Sequence, residues 1–392
     1  MSNIFSDRIS DVPKSFIREI LKVTVDRSII SFAGGLPNRD LFPIEEIKEA
    51  TMKVLTDDPK DALQYSTSEG YKPLREYIAQ RYFDKKGLSI DPDNILITNG
   101  SQQGLDLLGK ILLNDGDDVI IEEPGYLGAI QALSIYKSIF HPISLNDDGI
   151  DIPLLKKVMS NFNVKLYYAV PNFQNPSGIT YSESNRQDVA SVLSDTRTLF
   201  VEDDPYGELR FLGSEKMSFM HLMPENTVLL GSFSKTVVPS FRIGWVTARK
   251  DVMEKLIVAK QAGDLHTNYF CQKILYEYLT GFNVDKHIEK IREAYRSQRE
   301  SMVNAIHRYF PEGINYTEPE GGMFLWIELP KGISSLELFN RAIGKKVAFV
   351  PGDPFYVNKS GVNTLRLNFS CVDSETIDVG IKRLAEVIKE MM

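Results

Sequence analysis

Gly231-Ser232-Phe233-Ser234-Lys235-Thr236-Val237-Val238-Pro239-Ser240-Phe241-Arg242-Ile243-Gly244-Trp245 puts a lysine where a chain has little reason to put one. Thr227 to Leu230 runs into this segment as four apolar or β-branched residues, the pattern of a buried strand. Lys235 is therefore delivered to the mouth of a sheet rather than to a solvated helix face. Its neighbours give it a use. The Ser232 and Ser234 hydroxyls and the Arg242 guanidinium are the donors a phosphate needs beside an amine that must reach a carbonyl carbon. The plainer reading is an ordinary lysine in a serine-rich loop, and the rest of the chain decides between the two.

Upstream of the segment, from about residue 93, strand and helix patterns alternate, the mark of a mostly parallel sheet covered by helices on both faces. The expected strands are Ile95–Thr98, Asp118–Glu122, Lys165–Val170, Thr198–Glu202, Thr227–Gly231 and Ile243–Ala248. Helices are expected over Ser101–Leu113, Gly128–Ser134, Ile152–Met159 and Ser184–Asp195. In such α/β sheets ligands bind outside the carboxyl ends of the strands. Nearer the N-terminus, a helix is expected over Ser15–Leu21, a strand over Ile29–Phe32 entering Gly34-Gly35, and helices after Pro43 and Tyr71. Beyond Asp285 a long charged helix, strands near Met323–Glu328 and Thr364–Phe369, and a last helix from Ser374 describe a smaller α+β unit. The expected organisation is an N-terminal segment 1–42 packing with the small domain, a large domain 43–284 and a small C-terminal domain 285–392.

With 392 residues, 43% of them hydrophobic and 25% charged, the chain has the composition of a globular protein with a large core. A net charge of -8 and the absence of a basic run argue against a nucleic-acid partner. No apolar run reaches membrane length, and the first residues lack the apolar core of a signal peptide. Two cysteines do not make a disulfide framework, which fits a cytoplasmic location, and five scattered histidines make no metal site. Neither G-x-G-x-x-G nor G-x-x-x-x-G-K-[ST] occurs, so dinucleotide and P-loop sites lack support.

Several strand ends carry polar groups in one chain order. Thr98-Asn99-Gly100-Ser101-Gln102 opens a helix whose N–H groups and Ser101 hydroxyl suit a dianionic phosphate, or simply cap the helix. Tyr126, after Glu123-Pro124-Gly125, can stack on a flat ring or fill the core. Pro171-Asn172-Phe173-Gln174-Asn175-Pro176-Ser177-Gly178 fixes the Asn175 amide, or is an Asn-Pro turn. Glu202-Asp203-Asp204-Pro205-Tyr206 crowds three acids at one strand end, which is costly without a cation. A protonated pyridine nitrogen paired with one acid would supply it. Together with a lysine poised for a Schiff base, the set points to pyridoxal 5'-phosphate, which stabilises carbanions by drawing electrons into its ring.

With S-F-S-K and its downstream R-x-G, N-P-S-G and D-x-P-Y in place, the chain resembles the fold-type I, pyridoxal-phosphate-dependent aminotransferases of class I/II nearly end to end. The resemblance implies that Lys235 is the Schiff-base lysine, that Asp203 pairs the pyridine nitrogen, and that Asn175 and Tyr206 contact the ring hydroxyl oxygen. It implies that Ser101, Gln102, Ser232, Ser234 and Arg242 hold the phosphate while Tyr126 stacks on the ring. Tyr71, in Tyr65-Ser66-x-x-x-Gly70-Tyr71, resembles the tyrosine that reaches the phosphate of a neighbouring subunit, which implies a homodimer with its sites at the interface. Arg366, in Thr364-Leu365-Arg366-Leu367, resembles the arginine that binds the substrate α-carboxylate, near Gly35 and Asn175. Ser15-x-Ile17-Arg18, Ser31-Phe32-Ala33-Gly34-Gly35-Leu36-Pro37, Asp264-Leu265-His266-Thr267 and Ala348-Phe349-Val350-Pro351-Gly352 resemble the 2-aminoadipate and broad-range aromatic subgroup. There Ser15 and Arg18 would meet a side-chain carboxylate. The expected activity is transfer of an amino group from a 2-aminoadipate, aromatic, leucine or glutamate type donor to a 2-oxo acid such as 2-oxoglutarate. The same frame would also serve a β/γ-lyase or synthase, or a sensor that keeps the fold without catalysis.

Overall fold

The structure, a computed structural model, describes residues 4–10, 20, 26, 28–358 and 362–392. Its centre is an eight-stranded sheet built from β2 (Ile95–Asn99), β3 (Asp118–Glu123), β4 (Ile139–Asn146), β5 (Gly149–Ile150), β6 (Val164–Ala169), β7 (Leu199–Asp203), β8 (Thr227–Ser232) and β9 (Ile243–Thr247). β1 (Ile30–Ser31) lies outside it. The order is β2-β9-β8-β7-β6-β3-β4-β5. β8, β7, β6, β3 and β4 run parallel, whereas β9 is antiparallel to both of its neighbours. That reversal matters for function. It brings Arg242, the residue before β9, to the same edge of the sheet as the carboxyl ends of β2 and β8.

The strands read as near-continuous apolar runs because both faces are covered. On one face Val228, Leu230 and Val246 pack with Leu105, Leu108 and Leu256 from the helices Ser101–Leu112 and Lys250–Asp264. Leu229, Ile97 and Ile243 point the other way, toward Leu74, Ile78, Ile274 and Leu275 of the helices Lys72–Lys86 and Tyr269–Gly281. Further along the same face Ile120, Tyr167 and Phe200 meet Leu155 and Val189 of Ile152–Asn161 and Glu183–Leu193.

The six expected strands are all present, within a residue or two at each end. β4 and β5 are additional. β4 lies near the sheet edge with only Ile143 buried, and it contains Pro142, which lacks an N–H and weakens the strand signal. The helices Lys250–Asp264, Tyr269–Gly281 and Ser335–Gly344 were also beyond the expected set. The expected helix Ser15–Leu21 lies outside the described residues apart from Ile20.

A second sheet, antiparallel throughout, has the order β10 (Asn315–Tyr316), β11 (Phe324–Glu328), β14 (Thr364–Asn368) and β13 (Val350–Pro351). The helices Val284–Tyr309 and Ser374–Met391 pack on each other beside it. β1 pairs in parallel with β12 (Val347–Ala348), so the start of the chain is tied to this later unit, and the Asn368 amide donates to the Phe32 carbonyl at 2.8 Å.

One buried cation organises the loop between β6 and β7. Arg186 is fully buried; its guanidinium donates to the carbonyls of Tyr181, Met217 and Pro171 and to Asn172 Oδ1, 2.7–3.2 Å away, with Glu202 at 3.7 Å. Arg186→Met strands these acceptors and the Glu202 carboxylate, a loss of about 3–5 kcal/mol for a buried charged network. The expected result is a thermal midpoint lower by about 5 °C or more, read by calorimetry. A midpoint within about one degree of wild type would show that water replaces the guanidinium.

Candidate active site

A cleft of about 380 Å³ lies between the carboxyl edge of the large sheet and the second sheet. Gly35, Ser101, Gln102, Tyr126, Asn175, Asp203, Tyr206, Ser232, Ser234, Lys235, Arg242 and Arg366 all line it. Twelve of the expected site residues, scattered from position 35 to position 366, thus meet in one place.

The three crowded acids are sorted by the strand pleat, which sends neighbours to opposite faces. Glu202 accepts from the Ser218 hydroxyl at 2.5 Å and the Phe219 amide at 3.0 Å. Asp204 is paired with the half-buried Lys86 ammonium and accepts from Asn172 Nδ2 at 2.9 Å. Asp203, between them, faces the cleft. Its Oδ2 accepts from the Tyr168 hydroxyl at 2.8 Å, while its buried Oδ1 has no partner. Burial pushes its pKa up to about 7, against the Tyr168 hydrogen bond and with the repulsion of Asp204.

Lys235 follows β8 by three residues, and its Nζ donates to the Gly35 carbonyl at 2.7 Å. Burial lowers its ammonium to about 8; the nearby Arg366 and Arg242 push the same way, and Cys371 opposes them. Beside it Ser232 and Ser234 hydrogen-bond through their hydroxyls at 2.9 Å, and Arg242 reaches Ser234 Oγ and the Asn99 carbonyl, each at 3.4 Å. Two glycines let the guanidinium lie against the helix start. A Cβ on Gly100, at φ +72°, would come within 2.5 Å of Arg242 Nη2, and one on Gly244 would come within 2.7 Å of the Gly100–Ser101 backbone. Gly100 has no side chain with which to cap Ser101–Leu112, and while the Gln103 amide turns back to the Gly100 carbonyl at 3.2 Å, the N–H groups of Ser101 and Gln102 suit an anion.

On the opposite wall Arg366, buried in β14, donates to Asn175 Oδ1 and to the Ala33 carbonyl, both at 2.8 Å, with its buried Nε unpartnered. The guanidinium lies over the Phe324 ring at 4.3 Å, and burial pushes its pKa down to about 10. Burial likewise pushes the Tyr126 phenol up to about 12 and raises that of Tyr206, which packs edge-on against Phe324.

Tyr71 is not in this cleft. It packs edge-on against Tyr269 and Tyr276, with Lys273 Nζ 5.6 Å from its ring centre. Ser15 and Arg18 lie outside the described residues. Two supporting groups escaped the sequence reading. Tyr168 orients Asp203. Glu122, buried at the end of β3, accepts from the Val170 amide, Gln174 Nε2 and the Tyr181 hydroxyl at 2.7–3.1 Å, and Gln174 Nε2 also donates to the Pro124 carbonyl. Burial pushes Glu122 up to about 7. It thereby fastens the loop of Asn175 to the loop of Tyr126. Both residues read as ordinary strand positions, and only the three-dimensional pairing reveals them.

The residues fit pyridoxal phosphate. An orphaned carboxylate oxygen suits a protonated ring nitrogen, an uncapped helix start beside two hydroxyls and a guanidinium suits a phosphate, and a half-partnered arginine suits a carboxylate. Known proteins agree. The sequence pattern of the family "Aminotransferase class I and II" matches residues 28–384. The chain is 42% identical to aromatic-amino-acid aminotransferase 1 of Thermococcus litoralis, over 99% of this chain and 94% of that protein. It superposes with a TM-score of 0.95 on the crystal structure of Pyrococcus horikoshii kynurenine aminotransferase in complex with PMP, at 42% identity and with 99% and 97% of the two chains covered. With the α-aminoadipate aminotransferase of Thermus thermophilus, complexed with N-(5'-phosphopyridoxyl)-L-leucine, the TM-score is 0.92 at 39% identity, covering 99% and 97%. The chain belongs to the class I and II aminotransferases, fold-type I enzymes that transfer amino groups with pyridoxal phosphate.

Proposed function

We propose that this enzyme takes the amino group from donors of the 2-aminoadipate, glutamate, aromatic and leucine types and passes it to 2-oxoglutarate, with Lys235 as the catalytic base. The observation that carries the reading is the meeting of Lys235, the half-partnered Asp203 and the half-partnered Arg366 in one cleft. The similarity to proteins described as aromatic, kynurenine and α-aminoadipate aminotransferases supports the donor range.

Bound here, pyridoxal phosphate supplies the electron sink that makes the substrate Cα–H acidic. The protein does the rest. Asp203 holds a proton on the ring nitrogen, and Tyr168 keeps that carboxylate aimed. Ser101, Gln102, Ser232, Ser234 and Arg242 hold the phosphate; Tyr126 covers the ring; Asn175 and Tyr206 meet its hydroxyl oxygen. Arg366, with Asn175 and the Gly35 backbone, fixes the substrate α-carboxylate, and with it the direction of the Cα–H bond. Lys235, whose ammonium burial lowers to about 8, would take the Cα proton on Nζ as base and hold it there to give back as acid. Ser15 and Arg18 are our candidates for reading an acidic side chain.

We also infer a homodimer in which Tyr71 serves the partner's phosphate. Tyr71 stands away from its own cleft, and Leu63, Tyr65 and Leu265 are exposed apolar residues, at 68%, 79% and 54%. Closed two-fold symmetry is the commonest assembly. The chain divides, in this reading, into a large domain 43–284 and a small domain 285–392, with 1–42 against the latter, which the β1–β12 pairing supports. The free thiols of Cys271 and Cys371 fit a cytoplasmic enzyme, and no helix among the described residues is long and apolar enough to cross a membrane.

Lys235→Ala is expected to abolish the visible absorbance of the lysine-bound cofactor and to reduce turnover by at least about a thousand-fold. A borohydride-reducible cofactor bond persisting in that variant would assign the chemistry to another lysine. Mixing Tyr71→Phe with Lys235→Ala subunits should restore activity in hybrid dimers, each with one site free of both changes; a fully active monomer in sedimentation would exclude the shared site.

Asp203→Asn separates stability from function. The pKa of Asp203 rises from 3.8 to about 7 on folding, so ionising it opposes the folded state. Its contribution to apoenzyme stability is full below the unfolded pKa and is lost as pH rises through about 7. At 1.36 kcal/mol per unit the loss reaches up to about 4 kcal/mol. The variant apoenzyme is therefore expected to melt above wild type at pH 8 and close to it at pH 4, while binding the cofactor more weakly. Equal melting curves at both pH values would mean that Asp203 is paired in the free enzyme.

A further inference from the structure

Behind the turn Gly100–Gln102, on the side away from the cleft, four polar side chains close on one another. Lys260, fully buried in the helix Lys250–Asp264, donates to both carboxylate oxygens of Asp264, at 2.6 and 2.8 Å, and to Gln103 Oε1 at 3.0 Å. Asp264 Oδ2 in turn accepts from Asn99 Nδ2 at 2.6 Å and from Gln103 Nε2 at 2.8 Å. Gln103 Oε1 also takes the Asn99 amide at 2.8 Å. Neither Lys260 nor Asp264 lines the cleft. Asn99 and Gln103, which they grip, flank the turn on either side, and the Asn99 carbonyl is one of the acceptors of Arg242.

The chemistry of this ring is specific. A carboxylate is an apt acceptor for two side-chain amides, since it offers oxygens and no competing donor. Placed next to a turn that receives a dianion, it also repels that dianion. A buried lysine with its three donors all engaged cancels the charge while leaving the carboxylate geometry intact. An uncharged acceptor in place of the pair would hold the amides without needing the ammonium.

We propose that Lys260 and Asp264 are positioning residues for the cofactor phosphate: the pair fixes both ends of the Gly100–Gln102 turn, and Lys260 neutralises the Asp264 carboxylate that Asn99 and Gln103 hold behind that turn. This rests on the reading that the turn, Ser234 and Arg242 form the phosphate site.

The test is the affinity of the apoenzyme for pyridoxal 5'-phosphate against that for pyridoxal, followed by absorbance titration. Lys260→Met leaves Asp264 charged and alone, and should weaken pyridoxal phosphate by roughly ten- to a hundred-fold, the value of a charge-assisted contact, with pyridoxal nearly unaffected. Asp264→Asn keeps an acceptor and the ammonium, and should bind pyridoxal phosphate at least as well as wild type. The double variant Lys260→Met/Asp264→Asn, free of both charges, should recover to within about three-fold of wild type. Because the double variant leaves no buried charge unpaired, it reports even if Lys260→Met does not fold. Equal weakening of both ligands by Lys260→Met, no change in either, or a double variant as weak as Lys260→Met would overturn the proposal, as would Asp264→Asn that binds pyridoxal phosphate ten-fold or more below wild type. Arg242→Gln and Ser234→Ala guard the premise. If they fail to discriminate the two ligands, the phosphate site itself is misplaced; if they discriminate and Lys260→Met does not, only the role of Lys260 falls.

Discussion

A buried carboxylate without a cation is the constraint around which this molecule is arranged. Asp203 ends a strand enclosed on both faces, and the acids before and after it are already matched, Glu202 with Ser218 and Arg186, Asp204 with Lys86 and Asn172. The pleat leaves only Asp203 turned toward the cleft, with a single hydroxyl for company. A low-dielectric site holding one unmatched charge is unstable by itself and attractive to a cation of the right shape. The cofactor's ring nitrogen, protonated, is such a cation, and the electron sink needs that proton.

The second sheet completes the site by reaching across to the first. Arg366 in β14 donates to Asn175 of the loop after β6, and the Thr317 hydroxyl donates to the Ser177 carbonyl of the same loop at 2.7 Å. On its other side that loop is held by Glu122 and Arg186. The loop is therefore gripped from both sheets. Asn175 is fixed with respect to Asp203 and Arg366 at once, which is what its proposed role, touching both cofactor and substrate, requires.

Much of this was legible in the sequence because the chemistry sits at strand ends, where a short apolar run followed by Ser, Asn or Asp is easily read. Lys235, Asp203, Asn175 and Ser101 each follow or close such a run. Arg366 and Tyr71 were legible only by family resemblance, since an arginine inside an apolar strand and a tyrosine before a helix carry no local mark. The strand Ile139–Asn146, second from the sheet edge, was obscured by its half-buried and exposed residues and by Pro142. Lys260, Tyr168 and Glu122 could not be read at all. Tyr168 and Glu122 act through partners 35 to 59 residues away, at 2.7–3.1 Å, and Lys260, although spaced i, i+4 from Asp264, reaches the helix start only through Gln103, 157 residues away at 3.0 Å.

The buried groups of the site divide by what faces them. Charges turned away from the cleft are answered within the protein: Lys86 by Asp204, Lys260 by Asp264, Arg186 by carbonyls and Glu202. Those turned into it, Asp203, Lys235 and Arg366, are left short of partners, and burial displaces each toward its neutral form, to about 7, about 8 and about 10. The free enzyme thus carries electrostatic cost at the three points where ring nitrogen, reacting carbon and substrate carboxylate are expected. Ligands that relieve it bind the folded state and not the unfolded one, so occupancy of the cleft stabilises the fold by mass action. Folding and recognition draw on the same unsatisfied groups: a more stable empty site, with its charges paired internally, would have less left with which to hold either cofactor or substrate.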